Sequence, residues 1–179
     1  MRALVEALCD DACAGRKTGS PGGQRARGLI VDAFRDAGLD PDEQAIGVPG
    51  GANVIATIPG DSDRWVMVAA HYDHLGQSGA DIYRGADDNA AAVAMLVETG
   101  RNLAAARPDG RGVIVAAFDA EEPPHFMSAN MGSQHYVREP SVPIAKIDLM
   151  VCMDLVGHAL GSDELPASGR NSVFALGAE

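Results

Sequence analysis

The sequence predicts an α/β sandwich, a single domain in which helices cover both faces of a central sheet. Three observations carry this. Several short runs are apolar at consecutive positions rather than alternate ones, as in RWVMVAAHYD (64–73) and GVIVAAFDA (112–120), which marks strands buried on both sides. Stretches of helical periodicity separate them. No internal repeat or low-complexity tract divides the 179 residues, and with 46% apolar and 22% charged residues the chain can bury a core.

The elements follow in order. Residues 1–14 read as a short helix with Leu4, Val5, Leu8 and Ala12 on one face. The Pro21-Gly22-Gly23 turn opens a second helix, whose face is Ala26, Ile30, Ala33, Phe34 and Ala37 and whose stop is Gly38. ANVIATI (52–58) is a β-branched run closed by Pro59-Gly60, and 64–73 is the next strand. A helix over 88–106 places Val93, Leu96, Gly100 and Leu103 near one stripe and ends before Pro108. Strands over 112–120, 148–156 (DLMVCMDLV) and 172–177 (SVFALG) repeat the buried-strand pattern, with a short helix at 132–138.

Composition narrows the function. Fourteen Lys and Arg against twenty-five Asp and Glu leave a net charge of −11, the wrong sign for a partner that is nucleic acid or an anionic membrane. The longest apolar stretch, Ala90–Val97, is far short of the ~20 residues that span a bilayer. The first residues, MRALVEALCDDACAGRK, lack the apolar segment of a signal peptide, so the expected location is cytoplasmic, or secreted if an upstream signal was removed. Cys9, Cys13 and Cys152 are odd in number and form no CxxC pair; Cys9 and Cys13, four apart on a helix, could meet a metal but read as two packed thiols, and no chemistry is assigned.

Polar residues gather where three apolar strands stop. These are His71-Tyr72-Asp73, then Asp119 through Glu122, then Asp154. In open α/β sheets, ligands bind outside the carboxyl ends of the strands. Asp87 and Asp88 stand at the mouth of a helix and could join that rim or simply cap the helix. Carboxylates crowded around an imidazole repel one another unless a cation neutralises them. Oxygen and imidazole donors without thiolate suit a catalytic zinc site, and this many acids suit two ions sharing a carboxylate. Adjacent glutamates at a strand end point in different directions, so one can ligate while the other accepts a proton from activated water. Each group also has a bland reading. His71 could be a hydrogen-bonded core residue and Glu121-Glu122 solvated loop acids, but Asp154 within an apolar run is costly to bury unpaired.

Six segments in order, NVIATIPG (53–60), AAHYDHLG (69–76), RGADDNAAAVAML (84–96), AAFDAEE (116–122), MGSQHYV (131–137) and MDLVG (153–157), resemble the co-catalytic di-zinc aminopeptidase family. These are the zinc exopeptidases related to bacterial leucyl aminopeptidase and glutamate carboxypeptidase. The resemblance implies a three-layer sandwich with a mixed, mostly parallel sheet, a peptide substrate, two zinc ions, and removal of N-terminal residues by metal-bound water. It implies that Asp88 bridges the ions, that the peptide joining it to Asn89 is cis, that His71 and Asp154 complete one site, and that Glu122 ligates the other. Glu121 would be the general base, and Asp73 would orient the His71 imidazole.

The chain departs from that pattern in two places. The family's last zinc ligand is a histidine well beyond the position of Asp154. His74, His125, His135 and His158 do not occupy its place, so the expectation is a single peptidase domain over 1–179 lacking its C-terminal third, with a weak second metal site. The loop PPHFMSANM (123–131) is longer than in relatives, with Phe126 and Met127 offering apolar contact to substrate or serving as decoration. Rival readings are a non-catalytic recognition domain of the same fold, an inactive fragment, and a carboxypeptidase, dipeptidase or aminoacyl cyclase using the same metals.

Overall fold

The computed structural model describes residues 1–106 and 110–157. Helix α1 (Arg2–Leu8) is shorter than its periodicity suggests, because the chain breaks at Cys9 into a tight turn over Asp11–Arg16. Helix α2 (Pro21–Asp36) starts where Pro21 fills the first helical position and the Ser20 hydroxyl accepts from Gly23 N at 3.0 Å. It stops where Gly38 takes φ +80°.

Strands β1 (Pro41–Ala45), β2 (Ala52–Ile58) and β3 (Trp65–His71) follow, then a two-residue hairpin of β4 (Gln77–Ser78) and β5 (Asp81–Ile82). Helix α3 (Ala91–Ala106) is preceded by one wide turn at Ala86–Ala90. Strand β6 (Gly112–Phe118), helix α4 (Gly132–Arg138) and strand β7 (Ile147–Cys152) complete the described elements. The strand expected at 172–177 lies outside them, as does His158.

The main sheet has the order β1-β2-β6-β3-β7. It is mixed, with β1/β2 and β2/β6 antiparallel and β6/β3 and β3/β7 parallel. Central strand β6 is buried throughout, and its side chains alternate faces as the pleat requires. Val113, Val115 and Ala117 meet α1, α2 and α3 through Leu8, Ile30, Phe34, Val93 and Leu96. Ile114, Ala116 and Phe118 face Met67, Tyr136 of α4 and Val142. Each large side chain so buried stabilises the fold by ~1.5–3 kcal/mol over an exposed one. Two helical layers therefore enclose the sheet, as predicted.

Two features differ from the sequence reading. β1, PDEQA, has no β-branched residue and escapes a propensity reading. It pairs at the sheet edge, where an initial proline is tolerated. β7 reads as a buried strand, yet Leu149, Met150 and Val151 are exposed, because among the described residues it is the other edge strand. An apolar run reports a demand for burial on both faces, not the neighbour that meets it.

Candidate metal centre

β3, β6 and β7 run parallel, so their carboxyl ends share one rim. Register puts His71 opposite Phe118 and Ala69 opposite Cys152. Residues just beyond those positions, 71–74, 119–122 and 154, therefore converge. α3 returns the chain from β3 to β6 and presents the 85–89 turn to the same rim.

His71 Nε2 lies 3.2 Å from Asp88 Oδ1, 3.5 Å from Asp154 Oδ1 and 3.8 Å from Glu121 Oε2. A second group forms on the far side of Asp88, where His74 Nδ1 lies 2.8 Å from Glu122 Oε1 and 3.9 Å from Asp88 Oδ2. The two oxygens of Asp88 thus face two different imidazoles. The Asp88–Asn89 peptide is cis, matching the expectation.

Within each group the three donor atoms lie within 4.8 Å of one another. Bonds of ~2.0–2.1 Å to a tetrahedral zinc imply donor separations of about 3.3 Å, so both donor sets fit a divalent cation. The chemistry agrees with the geometry. Burial pulls the His71 imidazole down, but hydrogen bonds to Asp154, Asp73 and Asp88 outweigh it and push the group up to about 12. Contact with His71 holds the Asp88 carboxyl below its ordinary range. Burial raises Glu121, His71 opposes, and the charges of Asp73, Glu122 and Asp154 add to the rise. Burial likewise raises Glu122. The rim is short of positive charge, which a bound cation would supply.

Asp73 does more than stand beside His71. Its carboxylate oxygen is 3.6 Å from His71 Nδ1, whereas its own backbone carbonyl is 3.3 Å from that nitrogen. The carboxylate instead accepts the backbone N–H groups of Glu121 and Glu122, each at 3.0 Å. Behind it, Thr18 Oγ1 lies 3.2 Å from Asp73 Oδ2 and 2.9 Å from Asp119 Oδ1. The Tyr72 hydroxyl is 2.7 Å from Asp119 Oδ2. Asp119 is buried and also accepts Ala52 N at 3.0 Å and Ala120 N at 2.8 Å. Asp87 lies outside both donor groups and accepts Gly157 N at 2.6 Å.

Sequence reasoning missed two residues. Arg16 is fully buried, and its guanidinium donates to the carbonyls of Tyr72, Leu8, Arg84, Gly85 and Asp88, tying the His71–His74 segment to the turn that carries Asp88. It sits in GRKTGS, a segment that reads as loop. His74 does not stand at a ligand position of the family pattern. The signal for it was its place three residues past His71, in a loop where strand alternation no longer applies. His125 and His135 lie outside both donor groups. Phe126 and Met127 are exposed, 52% and 80% accessible. The cavity of about 130 Å³ beside Glu121 is lined instead by Phe118, Met131, Met150 and Cys152.

Fold and rim together define an α/β domain whose imidazole–carboxylate edge carries two donor groups that could hold metal. Residues 53–173 match Peptidase family M28, and the chain belongs to that family. It is similar to the uncharacterized protein YfbL of Escherichia coli (strain K12), 31% identical over 150 residues that cover 79% of this chain and 45% of that protein. Among solved structures it resembles a glutaminyl cyclase from an Acidobacteriales bacterium, with 26% identity and a TM-score of 0.69 over 88% of this chain and 59% of that one. It also shares the fold of a Zn-dependent exopeptidase from Parabacteroides distasonis ATCC 8503, with 21% identity and a TM-score of 0.66 over 87% of this chain and 60% of that one. The chain spans about half the length of the curated relatives it matches.

Proposed function

We propose that this chain carries the catalytic centre of a zinc-dependent metallopeptidase that hydrolyses peptide bonds and removes N-terminal residues from peptide substrates. The observation that carries the reading is the two-sided Asp88 carboxylate, with His71 3.2 Å from one oxygen and His74 3.9 Å from the other. His71 and Asp154 would hold one ion, Glu122 the other, and Asp88 both. Divalent ions bound there supply Lewis-acid polarisation of the scissile carbonyl and a lowered pKa for water.

Glu121 does the proton work. Its carboxylate stands at the rim beside His71 without belonging to either donor group, and its raised proton affinity suits a base that takes a proton from water and hands it to the leaving amine. Asp73 fixes the backbone on which Glu121 and Glu122 sit. A recognition domain without chemistry has no physical need for this set of acids.

A second reading is favoured by the 26% identity to a glutaminyl cyclase. The same rim would then serve attack of a peptide's N-terminal amine on the side-chain carbonyl of its own first-residue Gln, closing the ring and releasing ammonia. The separating experiment offers three substrates to the zinc-loaded protein: an aminoacyl arylamide, its N-acetylated form, and a peptide beginning with Gln. The peptidase reading expects amine release from the first and none from the second, with Glu121→Gln lowering kcat by about 10²-fold or more. Ring closure of the Gln peptide without cleavage of the arylamide would establish the second reading and overturn the first.

A further inference from the structure

We infer that His74 is a metal ligand, binding through Nδ1 and completing the second ion's site with Asp88 and Glu122. This rests on the metallopeptidase reading and goes beyond it, since the family pattern places no ligand at this position. Without His74, the donors on that side of Asp88 among the described residues are two carboxylates. With it, each side has one imidazole and two carboxylates, the three protein ligands of a catalytic zinc site with a fourth position open for water or substrate.

The local structure is built to hold His74 there. Its side chain is largely buried, 10% accessible, and its backbone N–H donates to Arg16 O at 3.2 Å. Gly76 N donates to Gly15 O at 2.9 Å, clamping the next turn of the loop. The ring lies against Gly85, where a Cβ would stand 2.6 Å from His74 Cδ2 and 2.1 Å from Asp88 O, so only glycine at 85 admits the imidazole next to Asp88. Gly85 also takes φ +55°, a conformation glycine adopts freely. Three separate segments, 15–16, 74–76 and 85–88, therefore meet to place one imidazole nitrogen 2.8 Å from Glu122. On this inference the second site has a full set of three donors, where the sequence pattern implies a weak one.

The test counts metal. The 179-residue chain is stripped with chelator, loaded with Zn²⁺, desalted and assayed by mass spectrometry, alongside His74→Gln and His71→Gln, with circular dichroism confirming that each is folded. Imidazole ¹⁵N spectra are recorded on the unsubstituted chain with and without Zn²⁺ and assigned by correlation to the backbone resonances of each histidine. The expected result is two ions in the unsubstituted chain and one in His74→Gln, with the second affinity lost by 10²-fold or more. The His74 Nδ1 resonance should move on zinc addition. Two ions of unchanged affinity in His74→Gln, or a stationary His74 resonance in a doubly loaded chain, would overturn the inference and leave the metallopeptidase reading standing. No bound ion in the unsubstituted chain would overturn both. A misfolded His74→Gln leaves the ¹⁵N spectra of the unsubstituted chain to decide.

Discussion

The Asp73 carboxylate and the backbone amide of Glu121 form a 3.0 Å hydrogen bond across 48 residues of sequence. The other oxygen of Asp73 accepts the amide of Glu122 at the same distance. One buried side chain thus sets the backbone of both glutamates, and with it the relation of the proposed base to the proposed ligand. Asp73→Asn keeps the shape but turns an amino group toward an N–H donor. The expected cost is ~1–3 kcal/mol of stability, together with a 10–100-fold loss of metal affinity or turnover. Urea denaturation and zinc titration of the variant check both.

Arg16 makes a second prediction. Among the described residues its hydrogen bonds all end on carbonyls. Burial pushes the guanidinium down from its ordinary range, so the carbonyl dipoles hold the charge. Arg16→Met leaves those carbonyls without their donor and is expected to destabilise the chain by more than ~2 kcal/mol, read as a lower urea midpoint. Arg16→Lys should recover little, because a point charge cannot span the same set of acceptors.

Metal should report on folding as well as chemistry. A ligand present at about 100 times its dissociation constant stabilises the native state by ~2.7 kcal/mol, which for a chain of this size raises Tm by about 5–10 °C. Zinc should therefore raise the melting temperature, and a chelator should return it to the apo value. Asp88→Asn, which weakens both donor groups, should remove most of the rise.

Cys13 gives a pH prediction away from the rim. It is fully buried, its thiol donates to Ala7 O at 3.4 Å, and burial pushes its pKa up. A pKa raised in the folded state contributes stability that is complete below the unfolded thiol value of ~8.5 and is lost as pH rises toward the folded one. Stability should thus decline on the alkaline side, and Cys13→Ala should flatten that decline while costing about 1 kcal/mol at neutral pH. Urea unfolding at matched neutral and alkaline pH checks this.

Much of the layout was legible because burial leaves a periodic trace. ANVIATI and residues 132–138 fall where the structure has β2 and α4, and the polar strand ends announced the rim before any coordinates. β1 was not legible, because an edge strand need bury only part of its surface and PDEQA shows no alternation of apolar residues. The exposure of β7 was not legible either, since its neighbours are a property of the whole sheet. The meeting of His71, Asp88, Glu122 and Asp154 at one rim was legible from residue type and strand ends together with a family pattern. Arg16 and His74 were not, because their positions depend on loops clamping one another through backbone groups that no side-chain pattern records.

The central claim is that cations bind on both sides of Asp88. Anomalous diffraction at the zinc edge from crystals grown with Zn²⁺ tests it most directly. Two peaks are expected to flank that carboxylate, one in contact with His71 and Asp154 and the other with Glu122 and His74. Peaks confined to other surfaces, or none within bonding distance of Asp88, would contradict it.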